Sequence, residues 1–174
     1  MLISDSYREQ QEIMHKTVPS YGRVAKKYGT RVSSLLDEFE LDSILDYGCG
    51  HKRSLLRHLY FDRKVEYRCY DPAVPKYAAE PTPAALVCCI DVLEHVEPEC
   101  LDAVLDHLRD LTQGILFATV HTGAARKKLP DGRNAHLIQQ DMEWWLPKFT
   151  DRFEIIGTRL DGPHRFEVVA MVKL

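Results

Sequence analysis

The chain has 174 residues, 45% of them hydrophobic and 28% charged, with a formal net charge of −3. That length suits a single domain with a full core, and the charge excludes a surface dominated by attraction to nucleic acid. No apolar run approaches the roughly 18 residues of a membrane span, and the opening MLISDSYREQ lacks the apolar region of a signal peptide.

In chain order, residues 5–40 are expected to be helical. Val32, Leu35, Leu36 and Phe39 recur with helical spacing, and Pro19 separates an N-terminal arm from a second helix. SILDY (43–47) is a short strand, and KRSLLRHLY (52–60) is expected to form a helix burying Leu55, Leu56 and Leu59. VEYRCY (65–70) is a strand ending at Asp71. Four prolines between Pro72 and Pro83 exclude a regular helix. ALVCCI (85–90) and GILFATV (114–120) are continuous apolar runs, as strands buried on both faces should be. Between them lies a helix opened by Pro98, with Leu101, Val104, Leu105, Leu108 and Leu111 on one face. Residues 121–140 read as a long loop and DMEWWLPKF as a short helix. The last two strands, joined by DGPH, read as a hairpin.

Alternating strands and helices imply an α/β fold: a Rossmann-like, mostly parallel sheet with helices on both faces and an antiparallel C-terminal edge hairpin. The expected divisions of this single domain are a helical arm (1–40), a cofactor-binding core (41–120), a loop with a short helix (121–150) and the hairpin (151–174). Five cysteines, Cys49, Cys69, Cys88, Cys89 and Cys100, form no C-x-x-C pair. No disulfide framework or metal site is expected, and a reducing cytoplasm fits.

Ligands of such sheets bind beyond the carboxyl ends of the strands, which draws attention to LDYGCGHKR. Gly48 and Gly50 suit a tight turn that a ligand can approach. The dinucleotide pattern G-x-G-x-x-G fails, because its sixth position is Arg53; the P-loop pattern fails at Leu45 and His51. Asp46 at the strand end would repel a pyrophosphate by about 1–4 kcal/mol. It would attract a ligand bearing ammonium and sulfonium groups, as S-adenosylmethionine does. Asp71 stands about 20 residues beyond the turn, where an acid reads a ribose diol.

LDYGCG, YDPA and CCIDVLEHV resemble the first, second and fourth motifs of the class I S-adenosylmethionine-dependent methyltransferases, over roughly residues 40–120. The resemblance implies that Asp46, Gly48, Cys49 and Gly50 surround the methionine part of S-adenosylmethionine. It implies that Asp71 takes the ribose hydroxyls, and that Asp91 and Val92 lie along the cofactor toward the methyl group. Two departures stand out. Lys52 replaces the family's third glycine, and the link between the second-motif and fourth-motif strands is too short for the usual helix and third strand. A trimmed sheet follows, with adenine contacts drawn from residues 72–85, Glu80 among them.

The loop HTGAARKKLPDGRNAHLI carries Arg126, Lys127, Lys128 and Arg133 against Asp131. A loop this long is usually functional or disordered. Read functionally, it is a lid for an anionic acceptor, with Arg126, Arg133 and Glu94 as substrate contacts and one of Trp144 and Trp145 as a roof. His136, His121 and His95, in that order, are candidate catalytic bases, since imidazole titrates near neutrality. The expected reaction moves a methyl group to an oxygen or nitrogen of a small molecule or modified nucleotide. Asp91-Val92-Leu93-Glu94 stands where DNA amino-methylases carry an Asn/Asp-Pro-Pro-aromatic motif, so duplex DNA is not favoured, though the basic loop leaves RNA open. Competing readings are a non-catalytic cofactor-fold binding or regulatory protein and a nicotinamide-dependent dehydrogenase; Asp46 argues against the second.

Overall fold

The computed structural model describes residues 1–19 and 21–173. The short apolar runs form strands β1 (Ser43–Tyr47), β2 (Glu66–Tyr70), β3 (Ala84–Ile90), β4 (Thr112–His121), β5 (Phe153–Leu160) and β6 (Arg165–Val172). They make one sheet in the order β2-β1-β3-β4-β6-β5. The first four in that order run parallel. The closing hairpin adds β6 antiparallel to β4 and β5 antiparallel to β6. The central strands β1 and β3 are buried nearly throughout, whereas β5 is largely exposed at its edge. This is the distribution expected when helices cover both faces of parallel strands.

The helices are α1 (Asp5–Thr17), α2 (Gly29–Glu38), α3 (Leu101–Leu111) and α4 (Met142–Thr150). On one face, Val104, Leu105 and Leu108 of α3 and Trp145 and Phe149 of α4 pack with Leu45, Tyr47 and Leu116 of the sheet. On the other, Val32, Leu35 and Leu36 of α2 pack with Ile44, Leu86 and Phe117. β2 and β3 are linked by an irregular segment with one 3-10 turn, Pro75–Tyr77, so the sheet is trimmed as expected at that edge.

Two expectations are corrected. Residues 52–60 are not a helix but turns followed by a 3-10 turn, Leu56–His58. Arg53 sits at φ +45°, outside the right-handed helical region, so the helix cannot propagate through it. Leu55 is still buried, while Leu56 and Leu59 are only partly so. Secondly, the segment before α2 is a 3-10 turn, Val24–Tyr28, not part of a long helix. The 121–140 segment is an irregular loop, as expected, and it is anchored. Its Leu129 and Ala135 pack with Tyr7 and Met14 of α1, and Asn134 bonds the backbone of Ala125 and His136.

Helix α1 lies across the carboxyl ends of the parallel strands. The Ser4 amide and hydroxyl donate to the Glu97 carboxylate at 2.8 and 2.6 Å, and the Tyr7 hydroxyl donates to the His95 carbonyl at 2.5 Å. Ser4 also caps α1 by accepting from the Tyr7 amide. The arm therefore closes the side of the sheet where a ligand would sit.

Candidate active site

After β1 the chain reverses through Gly48 (φ +74°) and Gly50 (φ +62°). The Gly48 and Cys49 amides donate to the Tyr70 carbonyl at 2.8 and 3.2 Å, which ties the turn to the end of β2. A Cβ on Gly48 would stand 2.4 Å from Val92 Cγ2, so the absence of a side chain is what lets the post-β3 loop approach. Lys52, in place of a third glycine, does not enter the site; its ammonium donates to the Pro19 carbonyl and ties the turn to the chain beyond α1.

Asp71 follows β2 and is buried in the cavity wall. Its carboxylate accepts from the Gly50 amide at 2.9 Å and the Ala73 amide at 3.0 Å, so the turn and the acid position each other. His15 of α1 brings Nε2 to 3.8 Å from the same carboxylate. Burial raises the Asp71 pKa, and His15 works against that rise.

Asp46 is corrected. It is 2% exposed and is not part of the cavity wall. Side chains alternate along a strand: Leu45 and Tyr47 face the α3 side, and Asp46 shares the opposite face with Ile44. There it accepts a hydrogen bond from the Tyr67 hydroxyl, and burial pushes its pKa up to about 7. A carboxyl raised this far above its unfolded value favours folding while protonated, and that advantage is lost as pH rises through 7. Asp46→Asn keeps an acceptor for Tyr67 and removes the charge. Its stability should gain on wild type by about 1 kcal/mol or more between pH 5 and pH 8. Parallel melting-temperature profiles over that range would contradict this.

A cavity of about 580 Å³ runs from the glycine turn to the end of β4. Gly48, Cys49, Asp71, Asp91 and Val92 line it, and so do His95, His121, His136 and Arg126. The three histidines converge: ring centroids are 4.7 Å apart for His95 and His136 and 4.8 Å for His121 and His136. His95 Nδ1 lies 2.7 Å from the Ala135 carbonyl oxygen, and His136 Nδ1 lies 2.7 Å from that of Gly123. A carbonyl only accepts, so in both rings Nδ1 carries hydrogen and Nε2 keeps its lone pair. Burial lowers all three histidine pKa values, that of His95 to about 3. All three are held neutral near pH 7.

Other expected contacts lie elsewhere. Glu94 is fully buried behind the wall, where Oε1 accepts from the His121 amide at 3.0 Å; it does not line the cavity. Arg133 pairs with Asp131 at 2.7 Å and covers the Tyr7 ring, outside the cavity. Trp145 is core, and Trp144 stands under Lys148 away from the cavity, so neither roofs it. Glu80 is exposed and bonds His107, while Pro72 and Ala73 of the same segment do reach the cavity. Asp91 is held by a bidentate pair with Arg165 at 2.9 and 2.8 Å. Sequence reading missed Tyr7, Gln11 and His15 of α1, together with Tyr21, His164 and Arg165, all of which line the cavity.

Residues 20–156 match a family model described as a methyltransferase domain. The match spans most of the chain, and the protein belongs to the class I S-adenosylmethionine-dependent methyltransferases. The fold is similar to that of a Burkholderia thailandensis 1,6-didemethyltoxoflavin-N1-methyltransferase with S-adenosylhomocysteine bound (TM-score 0.69, 11% identity, 97% of this chain and 88% of that one). It is also similar to the Synechocystis magnesium protoporphyrin IX methyltransferase with bound S-adenosylmethionine (0.66, 14%, 99% and 100%). A third likeness is to the 16S rRNA methylase ArmA (0.57, 14%, 94% and 91%). No curated protein matches by sequence. S-adenosylmethionine is the cofactor of this family, and the site fits it: the left-handed Gly48 opens onto the cavity, and the buried Asp71 carboxylate, tied to the Gly50 amide, stands beside it. Among the described residues, no helix is long and apolar enough to cross a membrane.

Proposed function

We propose that the protein transfers a methyl group from S-adenosylmethionine to an oxygen or nitrogen of a small molecule or modified nucleotide bound beside the histidine cluster. The observation that carries this reading is the single cavity shared by the glycine turn, Asp71 and three convergent imidazoles. When bound, the cofactor supplies an activated methyl on a sulfonium. Asp71 would accept hydrogen bonds from the ribose hydroxyls, and Gly48, Cys49 and Gly50 would give the methionine end its close backbone approach. Asp91 and Val92 would flank the path toward the methyl. Holding acceptor and methyl in line contributes several kcal/mol to such a displacement.

The acceptor enters among His95, His121 and His136, whose neutral rings can take its proton. Arg126 and Lys127 are loop cations on the cavity wall, and Arg126 would meet an anionic group of the acceptor. The cavity is enclosed by α1 and the 121–140 loop, which favours a small molecule or single nucleotide over a duplex. A screen of metabolite and nucleotide fractions with methyl-labelled S-adenosylmethionine tests the reading. Label transferred to a small acceptor is the expected result; label recovered only on long RNA would contradict the acceptor class.

His136→Ala should lower turnover at least tenfold while S-adenosylhomocysteine affinity stays within about threefold, because the ring lies toward the acceptor end. An unchanged rate would remove His136 from the reaction.

A further inference from the structure

We propose that Glu94, His95 and His136 bind a divalent transition-metal ion of the Zn²⁺, Co²⁺ or Mn²⁺ type in the wall of the cavity. Each residue offers one ligand atom, and these atoms all lie within 4.8 Å of one another. The second observation is independent. Glu94 Oε2 is fully buried and has no hydrogen-bond partner among the described residues, although the other oxygen of the same carboxylate is satisfied. A buried polar atom without a partner is costly, and such atoms call for an explanation. A cation beside Oε2 supplies one.

The imidazoles are oriented as ligands usually are. Carbonyls of Ala135 and Gly123 occupy Nδ1 of His95 and His136, which leaves Nε2 of each as the lone-pair nitrogen. An ion at about 2.1 Å from each ligand holds those atoms within about 4.2 Å of one another, so small side-chain rotations close the set. Two imidazoles and one carboxylate suit a borderline first-row ion; Mg²⁺ prefers oxygen donors and its own water. The nearby Arg165 is matched by its bidentate pair with Asp91 and does not add an unbalanced charge.

His95 and His136 line the cavity and Glu94 lies behind them, so the open coordination positions face the acceptor. On the methyl-transfer reading above, an acceptor hydroxyl binds the ion, which lowers its pKa. The proton passes to His121, the acceptor oxygen forms the new bond to the methyl carbon, and the carbon–sulfur bond breaks with its electron pair left on a neutral thioether. His95 and His136 are then ligands, and the base role falls to His121.

The test uses untagged, full-length protein stripped with chelator and titrated with Zn²⁺, Co²⁺, Mn²⁺ and Mg²⁺ alone. The wild type should take up one equivalent of Zn²⁺ or Co²⁺, with Co²⁺ showing the visible absorption of nitrogen and oxygen ligation, and should bind Mg²⁺ far more weakly. Glu94→Gln and His136→Gln should each lower the affinity at least tenfold, with S-adenosylhomocysteine binding retained as the measure of an intact fold. Failure of the wild type to bind any of the three transition ions stoichiometrically overturns the proposal, as does unchanged affinity in Glu94→Gln and His136→Gln. Metal uptake without S-adenosylhomocysteine binding would defeat the methyl-transfer reading and leave the metal site standing; the reverse pattern would defeat the metal site alone.

Discussion

Asp71→Ala should weaken S-adenosylhomocysteine binding by about 2–3 kcal/mol, a roughly 30- to 150-fold rise in Kd. The loss has two sources. On the proposed reading the carboxylate would accept from the ribose hydroxyls, and hydrogen bonds to a charged group are the strong kind. It also accepts from the Gly50 and Ala73 amides, so its removal loosens the glycine turn that the proposed reading sets against the cofactor. Asp71→Asn keeps an acceptor for one of these amides and should fall between wild type and alanine. Calorimetric titration of the three proteins checks the order. A Kd for Asp71→Ala within threefold of wild type would contradict the ribose assignment.

The largest single loss of stability within the site is expected from Gly48→Ala. A non-glycine residue in the left-handed region costs about 1–2 kcal/mol. The new Cβ would also fall 2.4 Å from Val92 Cγ2 and 3.1 Å from Cγ1, and overpacking of this kind costs about 1–3 kcal/mol. The sum, about 2–5 kcal/mol, is a large share of the stability of a small domain. The two contributions separate experimentally. Val92→Ala placed in the Gly48→Ala background should recover the packing part and leave the backbone part. Denaturant unfolding of the single and double variants measures both. Full recovery would mean that the turn carries no conformational strain, and no recovery would mean that the overlap with Val92 is relieved by other movements.

The sheet was legible because its signals are local. A continuous apolar run such as ALVCCI has few alternatives to a strand buried on both faces, and it is β3. Asp71 was legible because a fixed spacing links it to the glycine turn. The sidedness of Asp46 was also encoded, since Leu45 and Tyr47 are its apolar neighbours on the opposite face. The charge argument did not use this alternation, and Asp46 is buried on the face away from Leu45 and Tyr47, outside the cavity lining. The helix expected over 52–60 satisfied an apolar spacing, but spacing does not report the left-handed turn at Arg53. The histidines illustrate a different gap. His95, His121 and His136 come from three segments, and no local pattern brings their rings together. The same holds for His15, since an amphipathic helix shows which face is covered but not what covers it. Helix α1 proves to line the cavity through Tyr7, Gln11 and His15.

The most direct measurement of the central claim is calorimetric titration of S-adenosylhomocysteine into the wild-type protein, with NADH as the parallel ligand. Binding of one S-adenosylhomocysteine per chain, weakened roughly 30- to 150-fold in Asp71→Ala, together with no heat from NADH, is the predicted result. NADH binding with no uptake of S-adenosylhomocysteine would contradict it.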